Sequence, residues 1–271
     1  MRSPESVAPA TRDYMRGLRY VWRVPILLAL VVIAMPLGGV VALLPDGQDD
    51  GKRESLAQRI VRRWSRWMLR GAFGFRIVSH GTQVHGPVLF VANHVSWMDI
   101  QLLHTQRAAC FVAKAEIARW PLVGWLAARA GTIFHRRGNA SSLGAVMAVM
   151  VGRLRGGRAV AVFPEGGIEH ELTGITTVRT FHARVFQCAL DAQVPIQPVA
   201  LTYCRGGGVW NGATFRHGEG FLGNFLRLLG EPPLQAEVHF LAPLTTPAEN
   251  GRRALADAAR SAIAECLSQR A

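Results

Sequence analysis

Pro87-Val88-Leu89-Phe90-Val91-Ala92-Asn93-His94-Val95-Ser96-Trp97-Met98-Asp99 is an apolar run that stops abruptly in polar residues. Its first six residues have the length and composition of a strand buried on both faces. Asn93 and His94 fall at the strand's carboxyl end. Ser96 has the signature of a helix N-cap, with Asp99 three residues on as the acidic half of a capping box. A histidine and an aspartate therefore meet where an open α/β sheet places its sites. There they suit a general base and the carboxylate that orients it.

The same alternation of strand and helix continues on both sides. Phe75–Ser79 reads as a short strand. Ala109–Ala113 reads as another, ending at Lys114. A helix over about 115–130 carries Trp120-Pro121 and is expected to be kinked or divided. Gly131–Arg137 reads as a strand that delivers Arg136 and Arg137. Arg158–Phe163 is a buried strand closed by Pro164-Glu165-Gly166-Gly167, whose glycines let backbone approach a ligand closely. Further strands are expected over 194–203 and 235–241, with helices over 181–190, 221–229 and 247–269. The pattern predicts an α/β domain over 76–271 with a mixed, mostly parallel sheet flanked by helices. Every polar cluster (His94, Lys114, Arg136 with Arg137, and Glu165-Gly166-Gly167) closes a predicted strand. Such ends converge on one crevice.

Of 271 residues, 49% are hydrophobic and 18% charged, and the net charge is +13. Such a balance calls for an anionic partner. The first 70 residues hold twelve Lys and Arg against six Asp and Glu, beside Val24–Leu44, an uncharged run of 21 residues long enough to span a bilayer. That arrangement, with no nucleic-acid motif, favours an anionic membrane over nucleic acid. Residues 1–23 read as a mobile leader and 24–75 as a membrane anchor. Pro25, Pro36, Gly38 and Gly39 suggest that the apolar run is bent or re-entrant. Glu54–Phe75 reads as a basic amphipathic helix, lying among lipid headgroups or facing the core with a solvated basic side. Arginines on both sides of the apolar run disfavour a simple crossing. The expectation is a two-helix anchor in one leaflet of a bacterial-type inner membrane, with the domain facing the cytoplasm. Cys110, Cys188, Cys204 and Cys266 have no paired spacing and read as reduced core residues.

This set of residues suits transfer to a hydroxyl on a phosphate-bearing acceptor. An alcohol needs a base, for which His94 with Asp99 is the candidate. Arg136 suits phosphate by paired donors and Lys114 adds a point charge. Glu165 either binds an acceptor hydroxyl or neutralises Arg136. No GxSxG elbow supplies a covalent nucleophile. No metal set has plausible spacing: Glu169-His170-Glu171 with Glu165 lacks a second histidine at a ligand interval and reads as solvated loop. A membrane-docking protein without activity is the other class of reading, and an intact His94 and Asp99 argue against it.

Four blocks in order resemble the 1-acylglycerol-3-phosphate O-acyltransferases and their glycerolipid acyltransferase relatives: Asn93–Asp99, Gly131–Arg136, Phe163–Gly166 and Val194–Val199. Lys114-Ala115-Glu116 matches a KxE seen in the family. The resemblance covers residues 87–203 well. It implies direct acyl transfer from acyl-coenzyme A or acyl carrier protein to a lysolipid hydroxyl, giving phosphatidic acid, with no cofactor or metal. His94 would be the base and Asp99 its partner. Lys114, Arg136, Glu165, Gly166 and Gly167 would make the acceptor site. Gly167 stands where the family usually has Thr or Ser, which bears on the acceptor. The lyso-ornithine lipid acyltransferases share these blocks and are the alternative enzyme reading.

Overall fold

The structure, a computed structural model, describes residues 13–43, 55–136, 140–168, 178–244 and 251–270. Its strands are β1 (Phe75–His80), β2 (Leu89–Ala92), β3 (Cys110–Lys114), β4 (Ile133–His135), β5 (Val160–Val162), β6 (Ile196–Arg205), β7 (Gly208–Val209) and β8 (Leu234–Phe240). They form one sheet in the order β1-β8-β6-β2-β5-β3-β4, with β7 paired to β6. From β6 to β4 the main strands are parallel. β8 runs antiparallel to β6, and β1 parallel to β8. All four residues of β2 and the first eight of β6 are buried, because helices cover both faces.

The helices are α1 (Arg16–Leu43), α2 (Leu56–Trp67), α3 (Met98–Gln106), α4 (Val123–Arg129), α5 (Ala140–Arg155), α6 (Gln187–Ala192), α7 (Phe221–Leu229) and α8 (Gly251–Ser268). Two apolar layers sandwich the sheet. One holds Phe73, Met98, Leu102, Phe111, Tyr203 and Leu228, and the other Met150, Leu154, Phe186, Ile196 and Ile263. The division expected near Trp120-Pro121 is real: a 3₁₀ turn, Ala115–Arg119, precedes α4. All four cysteines are thiols outside any disulfide, Cys110 and Cys188 among them buried.

The amino-terminal segment departs from expectation in two ways. Helix α1 runs continuously through Pro25 and Pro36, where the prolines suggested a bent or re-entrant segment. It also begins at Arg16, inside the stretch read as a mobile leader. Arg16–Arg23 look solvated in sequence, yet they dock on the carboxyl end of α7. Tyr20 Oη donates to Leu226 O at 2.8 Å and Arg19 to Gly230 O at 2.7 Å. Arg23 is 1% exposed and donates to Leu229 O and Glu231 O at 2.8 and 2.7 Å. Guanidinium groups there meet the free carbonyls and the negative end of the helix dipole.

α1 is long and apolar enough to cross a membrane, with Leu28, Val32, Met35 and Leu43 exposed along it. α2 begins at a complete capping box between Ser55 and Gln58 and passes into a π-helical turn, Met68–Ala72. One side of this segment joins the core through Met68, Leu69 and Ala72. Ser65 Oγ donates to Gln101 Oε1 of α3 at 2.9 Å, and Trp64 Nε1 to Leu30 O of α1 at 3.3 Å. Arg59, Arg63 and Arg70 stay exposed on the other side. The core-facing reading of this helix therefore holds for half its circumference.

Candidate functional site

β2 ends at Ala92, and Asn93 fixes the bend that follows. Its buried amide donates to Leu201 O at 2.9 Å and accepts from Leu201 N at 2.8 Å, which ties the bend to β6. His94 then emerges beyond the sheet, its side chain 14% exposed and its ring stacked on Phe163, 4.0 Å between centroids. His94 Nδ1 lies 2.9 Å from Asp99 Oδ2. The same oxygen accepts from Val95 N and Ser96 N, at 2.7 and 2.8 Å. Oδ1 accepts from Tyr203 Oη at 2.6 Å. Four donors thus compensate a fully buried carboxylate. Because Oδ2 is an acceptor, the His94 bond runs from Nδ1–H, and Nε2 keeps its lone pair.

The N-cap of helix α3 is Trp97, one residue after the expected Ser96. Ser96 Oγ makes only a 3.4 Å contact with Met98 N, and the side-chain capping bond is the one from Ser96 N to Asp99. Asp99 is at once the reciprocal half of a capping box and the partner of His94.

The turn after β5 is bolted to this loop. Glu165 Oε1 accepts from His94 N at 2.9 Å. Its Oε2 accepts from Arg179 Nε at 3.3 Å, and Arg179 also donates to the carbonyl of Gly167. The cation beside Glu165 is therefore Arg179, where the sequence suggested Arg136. Burial pushes the Glu165 carboxyl up, while the His94 N–H and Arg179 pull it back. Gly166 has φ +82°, and a Cβ there would sit 3.1 Å from His182 Nε2. Only glycine makes this turn at no cost.

His94, Lys114, Arg136, Gly166 and Gly167 all face one cavity of about 2150 Å³. Lys114 ends β3 in register with His135 of β4, and Arg136 follows it, so the two exposed cations come from neighbouring strands. From there the cavity extends along apolar side chains of α1 and α2, among them Leu27, Val31, Ala34 and Trp64. The predicted convergence of strand ends is observed for His94, Lys114, Arg136 and Glu165. Arg137 and Glu169-His170-Glu171 lie outside the described residues. Tyr203 and Arg179 were not singled out in the sequence. Tyr203 sits in a strand whose other face is equally apolar, and Arg179 closes a polar loop, so neither carries a local signal.

Comparison with known proteins agrees with this geometry. A family model described as Acyltransferase matches residues 76–202. A lyso-ornithine lipid O-acyltransferase of Pseudomonas aeruginosa is 38% identical over 233 residues, covering 85% of this chain and 86% of the relative. A 1-acyl-sn-glycerol-3-phosphate acyltransferase of Neisseria meningitidis is 30% identical over 157 residues, covering 58% and 60%. The crystal structure of the 1-acyl-sn-glycerophosphate acyltransferase PlsC from Thermotoga maritima matches with a TM-score of 0.70 over 96% of this chain and 97% of that one. At 17% identity that likeness shows a shared fold. The chain belongs to the acyltransferase family and is an O-acyltransferase of the lysolipid type.

Proposed function

We propose that the chain acylates the free hydroxyl of a lyso-ornithine lipid, with acyl-coenzyme A or acyl carrier protein as donor. The observation that carries the reaction is His94, with a free Nε2, at the polar end of a cavity walled by the apolar helix α1. Nε2 takes the hydroxyl proton as the oxygen attacks the thioester carbonyl. The carbon–sulfur bond breaks, and the imidazolium returns the proton to the leaving thiolate. Asp99 holds the ring and stabilises its charge. Lys114 and Arg136 bind the carboxylate of the acceptor's head. Gly166 and Gly167 give it room, and Glu165 braces the His94 backbone. α1 and the exposed arginines of α2 seat the enzyme on an anionic membrane surface, as a one-leaflet anchor with the domain on the cytoplasmic side.

The relative named for lyso-ornithine lipid aligns over far more of this chain than the Neisseria protein does, and this favours that acceptor. Gly167, which departs from the hydroxyl residue of the glycerol-phosphate enzymes, points the same way. 1-Acylglycerol-3-phosphate is the second reading. It rests on the Neisseria relative and on Lys114 and Arg136, which suit phosphate equally well. Purified enzyme offered both lysolipids decides. The expected product is chiefly ornithine lipid, with His94→Ala slower by roughly 10²–10⁴. Preferential formation of phosphatidic acid would select the second reading, and equal activity of His94→Ala would remove the mechanism.

A further inference from the structure

A second cluster lies on the other face of the sheet. Thr202 of β6 is in register with Glu237 of β8, and Tyr203 with Ala236. Successive strand residues point to opposite faces. Tyr203 points to Asp99, so Glu237 points away from the acyl-transfer site. His239, two residues on, shares the Glu237 face. β1 runs parallel beside β8 with His80 in register with His239. Three ligand atoms, one each from His80, Glu237 and His239, thereby lie within 4.8 Å of one another. No linear spacing displays this set; the strand register makes it.

The donors are held for a common point. Gln235 Nε2 donates to Glu237 Oε1 at 2.6 Å, which fixes the carboxylate and leaves Oε2 toward the imidazoles. His239 Nε2 is 2.9 Å from Oε2, and His80 Nε2 is 3.9 Å from it. His80 Nε2 is buried and makes no hydrogen bond. The rings stack at 4.5 Å, so both nitrogens lie on the Glu237 side. Arg270, in the last turn of the described chain, places Nη1 3.0 Å from Oε2. Its side chain is 39% exposed and that of His80 41%, so the cluster opens to solvent.

We propose that His80, Glu237 and His239 form a binding site for a divalent cation of the zinc class, with Arg270 standing in the cation's place when it is absent. Two imidazoles and a carboxylate suit Zn²⁺, and three protein ligands leave a fourth position open. Binding moves the His239 proton from Nε2 to Nδ1, so that the neutral imidazole offers its Nε2 lone pair with no net proton released, and it displaces the guanidinium from Glu237. The His80 ring turns about its Cβ–Cγ bond to aim its lone pair, with no hydrogen bond to lose. The ion ties the edge strand β1 to β8, on the face that α8 covers.

Full-length enzyme in detergent, stripped with chelator, is titrated calorimetrically with Zn²⁺, and separately with Co²⁺ followed by its visible absorption. One equivalent, cobalt bands and a raised Tm are expected. His80→Ala should weaken binding at least about tenfold while keeping acyl transfer. Should that variant not fold, His80→Gln is read in its place. Arg270→Ala removes the competing cation and should bind as tightly as wild type or more tightly. Absence of one-equivalent binding, equal affinity in the His80 variant, or weaker binding in Arg270→Ala would overturn the site.

Discussion

Tyr203 Oη donates a 2.6 Å hydrogen bond to Asp99 Oδ1, from a strand 104 residues away in sequence. Both groups are buried, and burial beside Asp99 pushes the Tyr203 hydroxyl well above its usual value. Tyr203 is therefore a permanent donor. It occupies the carboxylate oxygen that His94 does not use, so His94, Asp99 and Tyr203 form one chain of bonds from the cavity into the core. Tyr203→Phe leaves that oxygen without its partner inside an apolar layer. The expected cost is about 1.5–3 kcal/mol in stability, since the acceptor is charged and buried. At a temperature where the variant is folded, kcat should fall about tenfold with KM little changed, because the loss concerns the ring's partner and not the acceptor. A KM effect with unchanged kcat would remove Tyr203 from the chain of bonds.

Asp99→Asn separates charge from geometry. The amide oxygen can take the place of Oδ2 and keep the bonds from His94, Val95 and Ser96, while its NH₂ turns to the Tyr203 oxygen. The fold is expected to survive. The imidazolium formed during reaction then has no anion beside it, and kcat should drop by roughly 10²–10⁴. Asp99→Ala, which strands three N–H groups, should instead fail to fold stably. Circular dichroism alongside kinetics distinguishes the two. Activity within a few-fold of wild type in Asp99→Asn would show that the charge is dispensable.

The Arg179–Glu165 pair gives a pH signature. Burial raises the Glu165 carboxyl, and Arg179 offsets part of that rise. A carboxyl raised on folding favours the folded state fully below its unfolded value. That contribution fades as pH climbs through the raised one. Arg179→Ala lifts the carboxyl further, so the variant's deficit should be small at pH 5 and larger at pH 8. Arg179 is about a third exposed, so the full deficit is put at about 1 kcal/mol. In a chain of this size that corresponds to a Tm loss of about 2–4 °C. Equal Tm losses at both pH values would show that Glu165 does not depend on Arg179.

How much of this was readable from the chain depended on whether the physics was local. Buried strands announce themselves as apolar runs, and the helix over 221–229 is observed at its predicted bounds because Gly220 and Gly230 bracket it. His94 and Asp99 were legible because one turn of chain holds both. Tyr203 was not, since its role exists only once β6 lies beside β2. Arg23 misled for a similar reason: an arginine before an apolar run looks solvated until the carbonyls of Leu229 and Glu231 enclose it. Of the two readings of Glu165, the ion-pair one looked to Arg136 because Arg136 closes a strand, whereas the partner is Arg179, which does not.

Ala34 tests whether α1 helps to hold the acyl chain as well as to anchor it. It is 3% exposed, faces the cavity that begins at His94, and lies on the side of α1 turned to the domain. Ala34→Phe places a ring where a long acyl tail would run and leaves the polar end of the cavity untouched. A donor that can no longer bury two methylenes loses about 1.6 kcal/mol, roughly fifteenfold in kcat/KM. Shorter donors that stop before the ring should be unaffected. Comparing kcat/KM for long and short acyl donors in wild type and variant isolates this effect from any general loss of stability, which would lower both alike. An unchanged ratio would mean that the chain leaves the cavity by another path, and that α1 serves the membrane alone.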